Sequence, residues 1–192
     1  MNRLERALHR ICEDLSQIGV DWALIGGLAV GVRGEPRTTI DVNVVVAVQD
    51  DAAAERLAHE LSKAGLTQVR TLESEISARI ALVRWVRDDI VLDVMMCWTG
   101  IEPELVMAAE TIEVASGITA PVITTGHLIA MKVLSGRLKD RADVLTLRKH
   151  ATPADLLAAR SALELVLERG FTRGVPVIES FEELLSMPLD RF

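Results

Sequence analysis

The stretch at residues 37–51, RTTIDVNVVVAVQDD, constrains this chain most. Ile40, Val42 and Val44 alternate with Asp41 and Asn43, the two-residue period of a strand with one apolar and one polar face. Asp41 and Asn43 therefore share a face, roughly 7 Å apart, a spacing at which two oxygen ligands can converge on a hard cation. Upstream, DWALI reads as a short apolar strand, and GGLAVGVRG turns through Gly26-Gly27 into a short helix. Strand, glycine turn, helix and then a strand with polar residues at alternate positions is a layout suited to a nucleoside triphosphate. Glycines admit phosphate to backbone N–H groups, and acids hold the magnesium that bridges phosphate oxygens. A Gly-Gly pair would serve a sharp bend equally well.

The rest of the chain supplies the scaffold. RLERALHRICEDLSQIG places Leu4, Leu8, Ile11, Leu15 and Ile18 at helical spacing, and DDAAAERLAHELSKAG predicts a helix capped by Asp50 and Asp51 and stopped by Gly65. LTQVRTL, ARIALVRWVRD and DIVLDVMMCW read as strands, the last two meeting in a hairpin at Asp88-Asp89 without the usual glycine. TIEVASGITAPVI adds two short strands around Ser116-Gly117. From Thr124 onward the pattern turns helical, with Pro153 just inside one helix, Gly170 just past its end, and VIESFEELLSM as a last helix. The expected architecture is α/β: a small mixed, twisted sheet flanked by helices over 1–123, then a helical part over 124–192 packed on it as one structural unit.

Asp93 stands in the apolar run DIVLDVMM, and a carboxylate there is costly unless it is paired or bound to metal. Two readings follow. If its strand neighbours the one bearing Asp41 and Asn43, the three side chains form a cluster; alternatively Asp93 pairs with an arginine such as Arg84. Lys132 lies among Ile129, Ala130, Met131, Val133 and Leu134, where a lysine more often faces a site than bulk water. Asp140 reads either as a site residue or as the N-cap of the next helix.

IGGLAVGVRGEPRTTIDVNVVV resembles the glycine motif and acidic strand of the DNA polymerase beta nucleotidyltransferase superfamily, in which Gly-Gly or Gly-Ser precedes Asp-x-Asp and a third Asp follows on a later strand. It resembles more closely the AbiEii-like nucleotidyltransferases of bacterial toxin–antitoxin systems, whose Arg-x-Thr-x-Asp-x-Asp is matched by Arg37, Thr39, Asp41 and, with a substitution, Asn43. LIAMKVLSGRLKDRADVLTL is similar to that family's second signature through Lys132, Arg137, Lys139, Asp140 and Asp143. The resemblance implies a sheet of the nucleotidyltransferase type and transfer of NMP from an NTP to an acceptor hydroxyl on tRNA, protein or a small molecule. It implies Gly26 and Gly27 at the triphosphate, Asp41, Asn43 and Asp93 at two magnesium ions, and Lys132 and Arg37 as supporting positive charge. Thr39, Arg137, Asp140 and Asp143 join the nucleotide-binding set on the same ground, and a cognate antitoxin is implied as partner. Asn43 brings no negative charge where the family has one, so metal affinity should fall.

Composition narrows the classes. A formal charge of -7 excludes a general nucleic-acid coat, since that affinity comes from a basic face. Arg70, Arg79, Arg84 and Arg87 are the candidates for a local phosphate-binding face, although Arg84 lies on the opposite parity to Arg79 and Arg87. With 3% aromatic residues, base-stacking platforms are scarce, and Trp22, Trp85 and Trp98 read as core or interface residues. Two cysteines, Cys12 and Cys97, lack the spacing of a zinc site and suit a reducing compartment. No apolar run approaches the roughly 18 residues that span a bilayer, so a cytoplasmic protein without membrane partners is expected.

Overall fold

In the computed structural model, which describes residues 2–188, the elements run in this order: α1 (Arg3–Ile18), β1 (Trp22–Ile25), α2 (Gly26–Arg33), β2 (Asp41–Val46), α3 (Asp51–Lys63), β3 (Thr67–Glu73), β4 (Ile80–Arg87), β5 (Ile90–Met95), α4 (Glu102–Met107), β6 (Glu110–Ala115), β7 (Ile118–Val122), α5 (Thr125–Ser135), α6 (Leu138–Arg148), α7 (Pro153–Glu168) and α8 (Val177–Ser186). The strands form one mixed sheet in the order β3-β4-β5-β2-β1-β7-β6. After β7 the chain is helical, and of the part expected over 124–192, residues 189–192 lie outside the described structure.

Local chemistry accounts for the element ends. Asn2 caps α1 in a reciprocal pair with Glu5, Gly19 closes it at φ +75°, and the stripe Leu8, Ile11 and Leu15 is buried on the sheet. Asp50 accepts from the Ala53 amide to cap α3. Thr152 and Asp155 form the same box at α7, with Pro153 in its first turn. Between β4 and β5 the loop is two residues long, and Asp88 and Asp89 both take positive φ, +52° and +61°. That is the primed turn a hairpin's twist requires, built from aspartate because its short polar side chain tolerates the left-handed region. Arg10 pairs with Asp88 at 2.9 Å and fastens the turn to α1.

β2 is the central strand, antiparallel to β1 and parallel to β5, and Val42, Val44, Val45 and Val46 are fully buried. The strand begins at Asp41, so Ile40, expected in its apolar face, lies outside it and is exposed. The C-terminal helices pack on the same core: Gly126 of α5 lies so close to α7 that a Cβ there would stand 2.5 Å from the Asp155 carbonyl oxygen. Trp22 and Trp85 belong to this core, whereas Trp98 does not. No helix of the described residues is long and apolar enough to cross a membrane.

Candidate active site

The site gathers where the end of β1, the first half of β2 and the middle of β5 meet the start of α2. β1 finishes at Ile25, and Gly26, at φ +69°, opens α2 directly. A Cβ on Gly26 would lie 2.9 Å from Asn43 Cβ, and one on Gly27 would lie 2.7 Å from Thr39 Oγ1. Both glycines are therefore demanded by the close passage of the segment that leads into β2.

Three polar residues stand together there. In the parallel ladder Asn43 is the register partner of Asp93, and Asp41 lies two residues before Asn43 on the same face. Asp41 is half-buried and accepts a 2.7 Å hydrogen bond from Thr39 Oγ1. Burial pushes its carboxyl up, but hydrogen bonds from Thr39 and Asn43, its own backbone, and the charge of Lys139 outweigh that and hold it below the ordinary carboxylate range. It is ionised at neutral pH.

Asp93 is buried, and its register partner across β4 is Arg84. Arg84 donates from Nε to one carboxylate oxygen and from Nη2 to the other, both at 2.7 Å. Both sequence readings of Asp93 thus hold at once: it lies beside Asn43, and it is paired with Arg84. Hydrogen bonding to Asp93 raises the Arg84 pKa, and the negative charge of Asp41 adds to that effect.

A second network stands behind the first. Lys132, buried on α5, places Nζ 2.8 Å from Asp140 Oδ1 and 2.8 Å from Asp143 Oδ2. Asp143 also pairs with Arg37, which anchors the segment before β2 to α6. Asp140 further accepts from Ser135 Oγ at 2.8 Å and Arg137 Nε at 2.6 Å. Arg137, not Asp140, is the N-cap of α6; Asp140 occupies the first turn with its side chain turned inward, so the capping alternative is set aside. Three cations against two carboxylates leave this network with one positive charge.

Between the two clusters lies a pocket whose walls include Gly26, Asn43, Met95, Trp98, Lys132 and Arg137. Of the residues singled out in sequence, Gly26, Asn43, Lys132 and Arg137 line it; Gly27, Arg37, Thr39, Asp41, Asp93, Asp140 and Asp143 stand behind its walls or beside them. Trp98 and Arg173 complete it and were not singled out as site residues. Arg173 lies over the Trp98 ring at 4.7 Å and donates to the Trp98 carbonyl at 2.7 Å. The backbone at Trp98 and Thr99 is held by buried Glu102, which accepts both amides. No local pattern marks Arg173, whose contact spans 75 residues.

Of the arginines considered for a phosphate-binding face, Arg79 contacts the Asp51 carboxylate and the Val48 carbonyl, Arg87 contacts Asp14 and the Ala64 carbonyl, and Arg84 holds Asp93. That leaves no continuous basic strip along β4.

Among the described residues no group of three His, Cys, Asp or Glu side chains is placed to hold a metal ion. The donors present are the Asp41 and Asp93 carboxylates with the Asn43 amide between them. Magnesium commonly takes one or two carboxylates and fills its sphere with water and substrate phosphates, so this set fits one ion arriving with a triphosphate better than two resident ions.

No family model and no curated protein matches the sequence. Solved structures do resemble the fold. A nucleotidyltransferase-like antigenic protein from Paracoccidioides brasiliensis matches with a TM-score of 0.56 at 18% identity, over 93% of this chain and 92% of that one. A candidate nucleotidyltransferase from Thermotoga maritima matches with a TM-score of 0.54 at 22% identity, over 78% of this chain and 94% of that one. The antibiotic-resistance enzyme ANT(2")-Ia, in complex with adenylyl-2"-tobramycin, matches with a TM-score of 0.52 at 13% identity, over 96% and 98%. The architecture is that of the nucleotidyltransferase fold.

Proposed function

We propose that this chain is a cytoplasmic nucleotidyltransferase that moves NMP from Mg-NTP to a hydroxyl group of an acceptor, at a rate limited by Asn43. The observation that carries this reading is the register pair Asn43–Asp93, two residues from Asp41 and beside the Gly26-Gly27 turn. A polar cluster of that kind beside a glycine turn suits nucleotidyl transfer and supports the reading.

In this reaction the acceptor oxygen forms a bond to the α-phosphorus as the bridge to the β-phosphate breaks, and pyrophosphate leaves. Magnesium, when bound, withdraws charge from the phosphate oxygens. Gly26 and Gly27 keep the approach to the α2 amides free of side chains. Lys132, Arg137 and Arg173 line the pocket with positive charge for the polyphosphate. Asp41, already ionised, would help hold the metal, and Asp93, the register partner of Asn43, would join it through one oxygen and take the acceptor proton on the other once Arg84 releases it.

A small-molecule acceptor suits the chain better than tRNA, because Arg79, Arg84 and Arg87 are each paired with a carboxylate and the protein is acidic. The enzyme captured with adenylylated tobramycin shares the fold and supports the same class. The AbiEii-like signatures add a toxin-type role and an antitoxin partner as the finer form of the reading.

One observation favours a second reading. With Asp93 neutralised by Arg84 and Asn43 in place of an acid, the pocket would also serve a module that binds nucleotide without transferring it. Transfer from α-labelled NTPs with magnesium, on this chain and on Asn43→Asp, separates the two. Label on an acceptor with either protein supports the enzyme; nucleotide binding with no label from either supports the module. No binding of any NTP to either protein rejects both.

A further inference from the structure

Asn43, Asp93, Arg84 and Arg70 stand in register across β2, β5, β4 and β3, so their side chains form one row on one face of the sheet. Asp93 sits in the middle of that row. Its two oxygens are taken by one guanidinium in the bidentate fork that matches a carboxylate best. The same guanidinium is close enough to Asp41 for the two charges to interact. Arg84 is thus the cation of the acidic pair, occupying both Asp93 oxygens that a metal would need. Its own side chain is 45% exposed, while that of Asp93 is 10% exposed. It can therefore swing toward solvent or toward an incoming phosphate without disturbing the core.

We propose that Arg84 is the resident cation of this site and bars divalent metal from the free protein, so that metal enters only as the triphosphate complex. A bare divalent ion would have to break both Arg84 hydrogen bonds and shed water for a site with two carboxylates and one amide. A triphosphate offers Arg84 a new anionic partner, so the guanidinium exchanges one oxyanion for another and Asp93 is released to the metal. Arg84 is a positioning residue: it acts through Asp93. The proposal rests on the nucleotide reading only for its last step, since exclusion of metal is a property of the free chain.

The test is Mn2+ titration of nucleotide-free protein, read as loss of the free-ion electron paramagnetic resonance signal. Wild type is expected to leave Mn2+ free up to millimolar concentration. Arg84→Gln, which keeps a side chain of similar reach without the charge, is expected to take up one Mn2+ per chain at least tenfold more tightly than wild type. Arg84→Lys, which keeps the charge but not the fork, should fall between the two, and circular dichroism checks that each variant is folded. One Mn2+ bound tightly by wild type overturns the proposal whatever the variants do, and so does equal uptake, or none, by wild type and a folded Arg84→Gln. Failure of nucleotide to bind would sink the proposed function and leave this result standing.

Discussion

Gly26 and Asn43 touch so closely that a Cβ on the glycine would stand 2.9 Å from the Asn43 Cβ and 3.0 Å from its amide nitrogen. The turn that opens α2 and the amide-bearing residue of β2 are one packed unit, so a change at either reaches the other.

Gly26→Ala should therefore damage both stability and site. Its φ of +69° costs a side chain about 1–2 kcal/mol, and the clash forces Asn43 aside. Thermal unfolding should show a lower Tm, and NTP titration a weaker affinity. Unchanged values for both would mean that the turn rearranges freely.

Asn43→Asp keeps the shape that Gly26 requires and adds a third carboxylate. Without metal, the new carboxylate cannot give Asp41 the hydrogen bond that Asn43 gives it and would repel both neighbouring acids, so Tm should fall. Magnesium supplied together with NTP should restore it. Transfer of label should rise at least tenfold, equivalent to about 1.4 kcal/mol of transition-state stabilisation. A variant whose Tm responds no more to Mg-NTP than wild type does would show that the residue does not reach the metal.

Lys132→Met leaves Asp140 and Asp143 buried without their shared cation. Arg137 and Arg37 remain as their partners, so the loss should be that of charged hydrogen bonds, about 1.5–3 kcal/mol, read as a drop in urea unfolding. A loss of nucleotide binding with unchanged stability would instead place the lysine on the ligand alone.

Burial pushes the Asp140 carboxyl up, but Lys132, Arg137 and Ser135 together hold it below its ordinary value of 3.8. Its folded pKa thus lies under its unfolded one, and the stability it contributes is present above about pH 4 and lost as pH falls through the lowered folded value. Urea midpoints measured from pH 6 down to pH 2.5 should fall more steeply for wild type than for Asp140→Asn. Parallel curves would remove Asp140 from the acid response.

Trp22 and Trp85 are buried in the core and Trp98 lines the pocket, so nucleotide binding should report through Trp98 alone. Emission should change on adding Mg-NTP and the change should vanish in Trp98→Phe. A signal retained in that variant would move the binding site elsewhere.

Much of this was legible in the chain itself, because strands and helices follow from contacts between near neighbours. The alternation around Asp41 and Asn43, the capping residues of α1, α3 and α7, and the Asp88-Asp89 turn each act over a few residues, and each element formed where that pattern stood. The charge partners were not legible in the same way. Asp93 had several arginines within reach, and only the β4–β5 register, set by the two-residue turn, brings Arg84 opposite it. The apolar neighbours of Lys132 gave its burial, but its two carboxylates come from α6 folding back on α5, and Arg37 joins them from 106 residues away. Arg173 and Trp98 meet only because the turn after α7 returns to the end of β5. Residue type and spacing determined which elements form and which side chains carry charge. Strand register and helix packing decided which charges meet, because Coulomb and hydrogen-bond energies depend on distance in space and not along the chain.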